Sequence, residues 1–407
     1  MPSPKSNVAQ TTMPEELQQH IKEAVAGGLA ELNLRELLGL TLSSLASAER
    51  TTWLSSRPED KGNGRYERSL VMGSIPVSVS VPRTRSGEFR PSLLPERYQR
   101  GYREETQGLL LGLLASSRSI GAAKAALSKM GLPCSAAELE QVAGEFIESV
   151  SLRNEAPIDP DQIAVFIDAK YVELRDGDRI RPATIYVAVA LGRDGKKRIL
   201  CCEVFVGRET LDDWKKVLRH LLHRGLRRVM ALVQDDFSGL LKITQAMFPG
   251  ADVQLCTVHM LRNAKSHLGK DHAEQFVLRW REIKTARDID RARAQFDELC
   301  QSLEQAAPAF IDQLTKKRDH YLAFMHYPHR IRRTFASTNA VETVNGQLER
   351  MRRNNGGYFH SSDVLKLKLG ITIDYLEQGR WRSPAASTRA ALHQLNVMFE
   401  QKFDAEE

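Results

Sequence analysis

Two acidic residues stand where the sequence predicts the border of a buried core. Asp168 ends the apolar run 163–168 within a predicted central strand, and Asp235 ends the run 229–235, where a predicted strand opens into a loop. A carboxylate there is costly to bury unless it is paired or bound to a metal. At the tips of neighbouring central strands, two such residues can converge on one site. For one aspartate taken alone, the commoner role is to cap the next helix or to lie at a solvated strand end.

A third acidic residue is predicted to lie on a helix. Residues 337–339 can cap this helix, which places Glu342 in its early turns. Apolar residues at helical spacing form its buried stripe: Val341, Val344, Leu348 and Met351. Glu342, Asn345 and Glu349 form an adjoining polar stripe, so the Glu342 carboxylate can face the strand tips. The alternative is a glutamate on a solvated helix surface, the commonest place for this residue type.

Three carboxylates of this kind suit one chemistry. Mg²⁺ prefers oxygen ligands, takes few of them from protein and leaves positions for water and phosphate oxygens. Two such ions about 3.5–4 Å apart can activate a nucleophile and stabilise the leaving oxygen of a phosphodiester. We therefore expect Asp168, Asp235 and Glu342 to hold Mg²⁺, with Mn²⁺ as a substitute, and to support the cutting and joining of DNA strands.

Arginines bracket the third acidic residue on both sides along the chain: Arg330, Arg332, Arg333, Arg350, Arg352 and Arg353. Arginine pairs with phosphate through two parallel hydrogen bonds and stays charged. The group therefore fits a DNA backbone that passes next to the metal ions. The alternative is a solvated basic face without a binding role.

Cys256 and His259 form a C-x2-H pair. As half of a zinc site the pair would need two more ligands, for example from Cys300, His320 or His326. No second closely spaced pair is evident in the sequence. A packed cysteine followed by a histidine at a helix start is the simpler interpretation.

The elements that must position these residues have the order of an α/β fold. Their predicted bounds are 163–174, 184–191, 199–206, 229–233 and 253–256 for strands, and 211–223 and 239–248 for helices. Asp176-Gly177 and Asp194-Gly195 lie between the first three strands and are typical of hairpin turns. Antiparallel strands followed by parallel ones predict an RNase H-like core with a mixed five-stranded sheet.

The chain is predicted to divide into six regions. They are a disordered N-terminus (1–15), a mainly α-helical DNA-binding region with a β-hairpin at 71–81 (16–150), the first part of the core (160–262), an all-α insertion (263–330), the closing helices of the core (331–380) and a C-terminal helix (381–407). In the second region, 56–65 is predicted as a loop and 151–160, after it, as a linker. A helix at 108–130 and another from Ser135 flank a turn at 131–133, which predicts either a helix-turn-helix or an ordinary αα-hairpin. The neighbouring basic turn with Arg83 and Arg85 favours DNA contact.

Composition agrees with a soluble, DNA-binding protein. The net charge of +7 favours a polyanionic partner, because it lowers the electrostatic cost of approach. Five cysteines without regular spacing indicate a reduced, cytosolic protein. The first residues lack the apolar segment of a secretory signal, and the apolar stretches are too short to cross a bilayer. We therefore expect a cytoplasmic, nucleoid-associated protein without membrane contact.

An ordered set of motifs resembles the Mutator-type transposases of bacterial insertion sequences over nearly the whole chain. The set comprises Gly62-Asn63-Gly64, 81–89 (VPRTRSGEF), Tyr98-Gln99-Arg100, 167–172 (IDAKYV), Trp214, Arg224-Gly225, Val233-Gln234-Asp235, 256–263 (CTVHMLRN) and 337–345 (STNAVETVN). Any one of these motifs is weak, but their order along the chain is specific.

The resemblance implies a catalytic triad of the DDE type at Asp168, Asp235 and Glu342, with an α-helical insertion before the glutamate. It also implies that His259 lies near the active site and holds the substrate or the scissile phosphate. The implied partners are double-stranded DNA, as terminal inverted repeats and as target, and further copies of the chain in a homodimer or larger assembly. Together with the basic stretches of the sequence, the resemblance predicts DNA contacts from ten residues. They are Arg83, Arg85, Arg262, Arg330, Arg332, Arg333, Asn345, Arg350, Arg352 and Arg353.

One position departs from the family. Asp236 stands where the family usually has Gly. This extra carboxylate is expected to perturb metal binding, to exchange roles with Asp235, or to point outward. Two other functions stay open: an RNase H-like nuclease that does not join strands, and a domesticated DNA-binding protein without catalysis.

Overall fold

The computed structural model describes residues 34–72, 75–94, 103–129 and 136–404, together with Gln19 and Lys22. The chain divides into two compact units, one of Met1–Leu114 and Ile120–Val142 and the other of Ala115–Ser119 and Ala143–Glu407. The predicted disorder of residues 1–15 and the predicted turn at 131–133 lie outside the described residues.

The first unit contains a β-hairpin packed against a helix. The helix α1 spans Leu34–Ser55, and the strands β1 (Gly62–Met72) and β2 (Ile75–Thr84) pair antiparallel. Apolar residues on one side of β2 pack against α1, namely Val77, Val79 and Val81 with Leu38 and Leu42. A hairpin is present, but it is longer than the predicted 71–81, which covers little more than β2. The predicted loop at 56–65 is too long, because Gly62 already pairs with Thr84 ahead of a β-bulge.

Three helices follow the hairpin: α2 (Arg103–Ser116), α3 (Ile120–Lys129) and α4 (Ala136–Glu155). The prediction of one helix over 108–130 is wrong, because the chain bends at 117–119. Residues 116–119 are Ser-Ser-Arg-Ser. Serine side chains compete for backbone hydrogen bonds, which weakens a helix at this point. The predicted linker at 151–160 is shorter than expected, since α4 continues to Glu155.

A five-stranded sheet forms the centre of the second unit. Its strands are β3 (Asp161–Asp176), β4 (Arg179–Gly192), β5 (Lys197–Val206), β6 (Arg228–Gln234) and β7 (Asp252–Leu255). Their order across the sheet is β5-β4-β3-β6-β7, with β3, β4 and β5 antiparallel and β6 and β7 parallel to β3. Gly177 and Gly195 have φ of 60° and 76°, as the two predicted Asp-Gly turns require. The mixed sheet of an RNase H-like core is thus confirmed.

Helices make up most of the chain after β7. Two helices lie between the strands, α5 (Leu211–His223) after β5 and α6 (Leu240–Met247) after β6. The helices after β7 are α7 (Thr257–His267), α8 (Lys270–Lys284), α9 (Ile289–Leu303), α10 (Pro308–Lys316), α11 (Arg318–Leu322), α12 (His329–Phe335), α13 (Asn339–Asn354), α14 (Ser362–Asp374) and α15 (Ala386–Phe403). The aromatic side chains of Trp280, Phe296 and Phe324 are buried among α8, α9 and the short 3-10 turn that follows α11. No helix in the described part of the chain is both long and apolar enough to cross a membrane.

The two faces of the sheet bury different residues of β3. Ile167 packs with Trp214 of α5 and Leu240 of α6, whereas Phe166 packs in the cluster that contains Val341 and Val344 of α13. Side chains alternate along a strand, so Asp168 points to the same face as Phe166. The fold therefore turns Asp168 toward α13.

Candidate active site

The two aspartates lie on neighbouring strands near the point where β6 ends: Asp168 is in the middle of β3, and Asp235 directly follows β6. In the parallel pairing of β3 and β6, Phe166 stands opposite Val233. Asp168 and Asp235 each follow two residues later, on the same face of the sheet. Their negative charges interact, and the charge of Asp235 helps to raise the pKa of Asp168. We call these two residues the acidic pair.

Asp168 is buried, with 9% of its surface exposed. Its Oδ2 accepts a hydrogen bond from Nδ2 of Asn345 at 3.3 Å, and its Oδ1 accepts one from the backbone N–H of Ala169 at 3.0 Å. Burial disfavours the charged form and raises the pKa of Asp168 to about 7, against the opposing charge of His259. A cation bound at this carboxylate would offset the cost of its burial.

Asp235 lies beside a histidine. Nδ1 of His259 is 3.4 Å from Oδ1 of Asp235, close enough for an ion pair. Burial lowers the pKa of His259, but a hydrogen bond with Cys256 and the charges of the acidic pair outweigh burial and raise this pKa to about 9. The imidazole is therefore positively charged at neutral pH and lies next to the carboxylates.

Cys256 is buried and is held by Thr338. Both the backbone N–H and the hydroxyl of Thr338 lie 3.4 Å from Sγ of Cys256. Burial raises the pKa of the thiol, but the hydrogen bond with His259, the charge of His259 and the hydrogen bonds from Thr338 together outweigh burial, so the net shift is downward. Cys256 begins α7 and Thr338 precedes α13, so this contact joins the starts of the two helices.

The third predicted carboxylate does not join the acidic pair. Oε1 of Glu342 lies 3.2 Å from Nη2 of Arg262, one turn after His259 on α7. Within the described residues, no three His, Cys, Asp or Glu side chains stand close enough together to hold a metal ion. The structure thus brings Asp168 and Asp235 together and turns Glu342 aside. It also leaves the possible zinc ligands Cys256, His259, Cys300, His320 and His326 unassembled.

Glu342 nevertheless lies on the correct side of its helix. Residues three apart on a helix are neighbours, so Glu342 is adjacent to Asn345, which contacts Asp168. The predicted polar stripe continues to Glu349, which lies 3.3 Å from Lys170 of β3. The stripe therefore faces β3, as the sequence predicted.

Sequence reasoning missed another acidic residue near the acidic pair. Glu209 follows β5, and its charge interacts with those of Asp168, Asp235 and His259. Nε1 of the buried Trp214 donates a hydrogen bond to Oε1 of Glu209 at 2.7 Å. Burial raises the pKa of Glu209, the bond from Trp214 opposes it, and Asp235 adds to it. The polar segment between β5 and α5 contains no motif that marks Glu209, because the charges that Glu209 meets lie on distant parts of the chain.

The predicted DNA-binding residues lie in three places. Arg83 and Arg85 are exposed at the end of β2 in the first unit, where the Arg83 guanidinium lies 5.2 Å from the Tyr66 ring centroid. Asn345 donates to Asp168 of the acidic pair, and Arg262 pairs with Glu342 on the neighbouring helix. The other six are on α12 and α13: Arg330, Arg332, Arg333, Arg350, Arg352 and Arg353. Of these, Arg352 and Arg353 pair with Glu349.

Asp236 points away from the acidic pair. Nζ of Lys317 lies 2.6 and 2.8 Å from the two carboxylate oxygens of Asp236, and the hydroxyl of Tyr321 donates to Oδ2 at 3.1 Å. Both partners belong to the helical insertion. The extra carboxylate therefore fastens the loop after β6 to the insertion, and Asp235 keeps the position at the strand end.

We predict that Asp236→Asn weakens the fold more than the chemistry. The change removes an ion pair whose carboxylate is 16% exposed, and should lower the free energy of unfolding by about 1–3 kcal/mol. DNA cleavage should fall less than about tenfold. Urea unfolding and a cleavage assay measure the two effects. Lys317→Gln is the matched control, and the double variant should lose less than the sum of the single losses. Loss of cleavage in a stable Asp236→Asn protein would mean that Asp236 acts in the site.

The side chains at the acidic pair fit an oxygen-liganded divalent ion. Two carboxylates lie close enough for their charges to interact, and one of them is buried. Oδ1 of Asn345 is buried and has no hydrogen-bond partner within the described part of the chain. An unpartnered buried oxygen of this kind is suited to bind a cation directly or through water.

A sheet in this strand order, with one carboxylate in the middle of β3 and another directly after β6, is the arrangement of an RNase H-like protein. The chain belongs to the Mutator family of transposases, because the model of that family matches residues 5–379. It is 26% identical over 386 residues to the transposase for insertion sequence element ISRM3 of Rhizobium meliloti, which covers 94% of each chain. It is 29% identical over 325 residues to the transposase for ISRM5 of the same species, covering 78% of this chain and 81% of that one.

A solved structure is also similar in part. The Drosophila P element transposase strand transfer complex matches 70% of this chain and 83% of its own, with 13% identity and a TM-score of 0.27. A TM-score this low supports no conclusion about the present chain.

Proposed function

We propose that this insertion sequence transposase cuts DNA at the ends of its element and joins the freed 3′ ends to target DNA. The observation that carries the proposal is the acidic pair, with Asp168 buried, Asn345 bonded to it and the charged His259 beside Asp235. This set places two carboxylates and an imidazole together where β6 ends beside the middle of β3. Such a site suits metal-dependent phosphodiester chemistry better than it suits a non-catalytic DNA-binding protein.

Bound Mg²⁺ would supply an activated nucleophile and neutralise the leaving oxygen. Asp168 and Asp235 would hold the ions, and the bond from Asn345 would fix the orientation of Asp168. Glu342 would complete the site by leaving Arg262 and turning across its own helix face toward Asn345. The guanidinium of Arg262 would then be free for a phosphate.

His259 would bind the DNA strand that is cut. In the absence of a metal ion the pKa of its imidazole is raised to about 9, and the ring lies beside Asp235, so a ring N–H can donate a hydrogen bond to a phosphate oxygen at the acidic pair. The arginines of α12 and α13 would position the backbone of the same strand. The exposed Arg83 and Arg85 support a role for the first unit in binding the terminal inverted repeats.

Two DNA ends must be held together during joining, so we expect a homodimer or a larger assembly on DNA, in the cytoplasm with the nucleoid. The test is a strand-transfer assay with the ends of the chain's own element, target DNA and Mg²⁺ or Mn²⁺. Cleaved and joined products should form and should disappear with EDTA. Cleavage without joining of pre-cleaved ends would favour a nuclease, and binding without either product would favour a non-catalytic protein.

A further inference from the structure

Three cations of the second unit converge on a single carboxylate. Nε and Nη2 of Arg352 donate to the two oxygens of Glu349 at 3.0 and 2.8 Å. Nε of Arg353 donates to Oε1 at 3.0 Å, and Nζ of Lys170 lies 3.3 Å from Oε2. We call Lys170, Arg352 and Arg353 the cation cluster.

The cation cluster adjoins Asp168 on both elements that carry it. Lys170 follows Asp168 by two residues on β3, about 6.6 Å along the strand, and points to the same face. Glu349 lies one turn beyond Asn345 on α13, about 6 Å along the helix, and Asn345 donates to Asp168. A DNA strand whose phosphate lies at Asp168 would therefore bring a neighbouring phosphate to the cluster.

The cluster carries more positive charge than its carboxylate can balance. Three cations lie next to Glu349, and Arg352 also interacts with the charge of Glu173. Against Glu349 and Glu173, the three cations of the cluster leave one positive charge unbalanced. Like charges held this close repel each other, so the arrangement favours the arrival of a further anion.

The geometry of the pairing resembles phosphate recognition. Two N–H groups of the Arg352 guanidinium donate to the two oxygens of one carboxylate, as they would to two oxygens of one phosphate. Arg353 is 75% exposed at its side chain, so a ligand can reach it from solvent. A lone structural ion pair would need only one of these three cations.

We propose that Lys170, Arg352 and Arg353 form a binding site for the DNA backbone phosphate next to the one that is cut, and that Glu349 occupies this site as an internal counter-ion until the phosphate displaces it. The inference rests on the proposed function, since it needs a DNA strand at Asp168. It adds Lys170 as a DNA contact and gives Glu349 a competing role.

The test measures affinity for a fluorescent duplex with the element's ends, in EDTA, over a series of NaCl concentrations. Glu349→Gln keeps the side-chain size and removes the competing charge. It should bind about three- to tenfold more tightly than wild type, with a salt dependence steeper by about one unit of log K per log [NaCl]. Arg353→Gln should bind about three- to tenfold more weakly, with a salt dependence shallower by about one unit.

Glu282→Gln is the matched control. Glu282 also pairs with an arginine on its own helix, Arg279 at 3.1 Å, and the change alters the net charge equally. It should shift affinity by less than about twofold. Equal affinities of Glu349→Gln and Glu282→Gln, or weaker binding by Glu349→Gln with an unchanged melting temperature, would overturn the proposal. If the melting temperature of Glu349→Gln is lowered, Arg353→Gln decides instead. The proposal would then be overturned by an affinity and a salt dependence of Arg353→Gln equal to those of wild type.

A neutral methylphosphonate tests the position of the site. Placed at the phosphate next to the cut, it should remove the difference between wild type and Glu349→Gln, and placed far from the cut it should leave that difference intact. An unaffected difference at both positions would contradict the proposal. Cleavage by the wild-type protein in Mg²⁺ is measured separately. Absence of cleavage would contradict the proposed function. Normal cleavage, combined with a salt dependence of duplex binding that does not change in the variants as expected, would contradict only this inference.

Discussion

Asp168→Asn should lower the rate of strand cleavage by at least about 10³-fold, because it removes a charged oxygen ligand from the centre of the proposed metal site. Joining of pre-cleaved ends should fall equally, since both steps use the same ions. Gel assays with the element's ends in Mg²⁺ measure both rates. Asp235→Asn should behave in the same way, and Asp236→Asn is the neighbouring control.

The same change should stabilise the protein when no divalent ion is present. The folded pKa of Asp168, about 7, lies above its ordinary value of 3.8, so the folded state binds the proton more tightly than the unfolded state does. The stability that this proton contributes is complete below pH 4 and is lost as the pH rises to about 7. A shift of about three pKa units sets an upper limit of roughly 4 kcal/mol on the loss.

The amide that Asp168→Asn introduces carries no charge at any pH and avoids that cost. In EDTA at pH 8, the variant should therefore melt above wild type, and at pH 4 the two should melt alike. Mg²⁺ should raise the melting temperature of wild type more than that of the variant. A variant that melts below wild type at pH 8, or a Mg²⁺ effect equal in both proteins, would show that Asp168 is not a buried ligand.

Glu342→Gln should have the second largest effect, a loss of cleavage and joining of about 10²–10³-fold. Its carboxylate pairs with the largely exposed Arg262 at 3.2 Å, so it can leave this partner at small cost and turn toward the acidic pair. Binding of Mn²⁺, measured by calorimetry without DNA, should weaken in Glu342→Gln.

Arg262→Gln gives the opposite change in metal binding. Without its partner the Glu342 carboxylate is free, so Mn²⁺ should bind more tightly than in wild type. Glu209→Gln serves as the comparison, because the charge of Glu209 interacts with those of the acidic pair. If Glu209→Gln abolished cleavage and Glu342→Gln did not, Glu209 would replace Glu342 as the third acidic residue.

Local sequence was sufficient to predict several elements. The helix 211–223 has its predicted bounds, because Thr210 caps it by accepting a hydrogen bond from the Asp213 backbone at 3.1 Å. The Asp-Gly turns also depend on neighbouring residues alone. The helix predicted over 108–130 failed, because apolar composition there hid the run of serines that bends the chain.

The site was predictable in outline. The apolar runs placed Asp168 within a central strand and Asp235 at the end of its neighbour, and helical spacing placed Asn345 toward the sheet. The pairing of Glu342 with Arg262, the approach of Glu209 and the attachment of Asp236 to Lys317 were not predictable. Each joins residues that are distant in sequence, and side-chain charges alone do not select one partner among many.

The sequence by itself determined the order of strands and helices, the family of the chain and the residue types available for metal and phosphate binding. These depend on periodicity and on motifs, which are local properties. Only the tertiary structure decided which carboxylates meet, which one is buried and which are neutralised by arginine or lysine. Burial and charge pairing depend on distances across the fold, and the packing of α7 and α13 against β3 and β6 sets those distances.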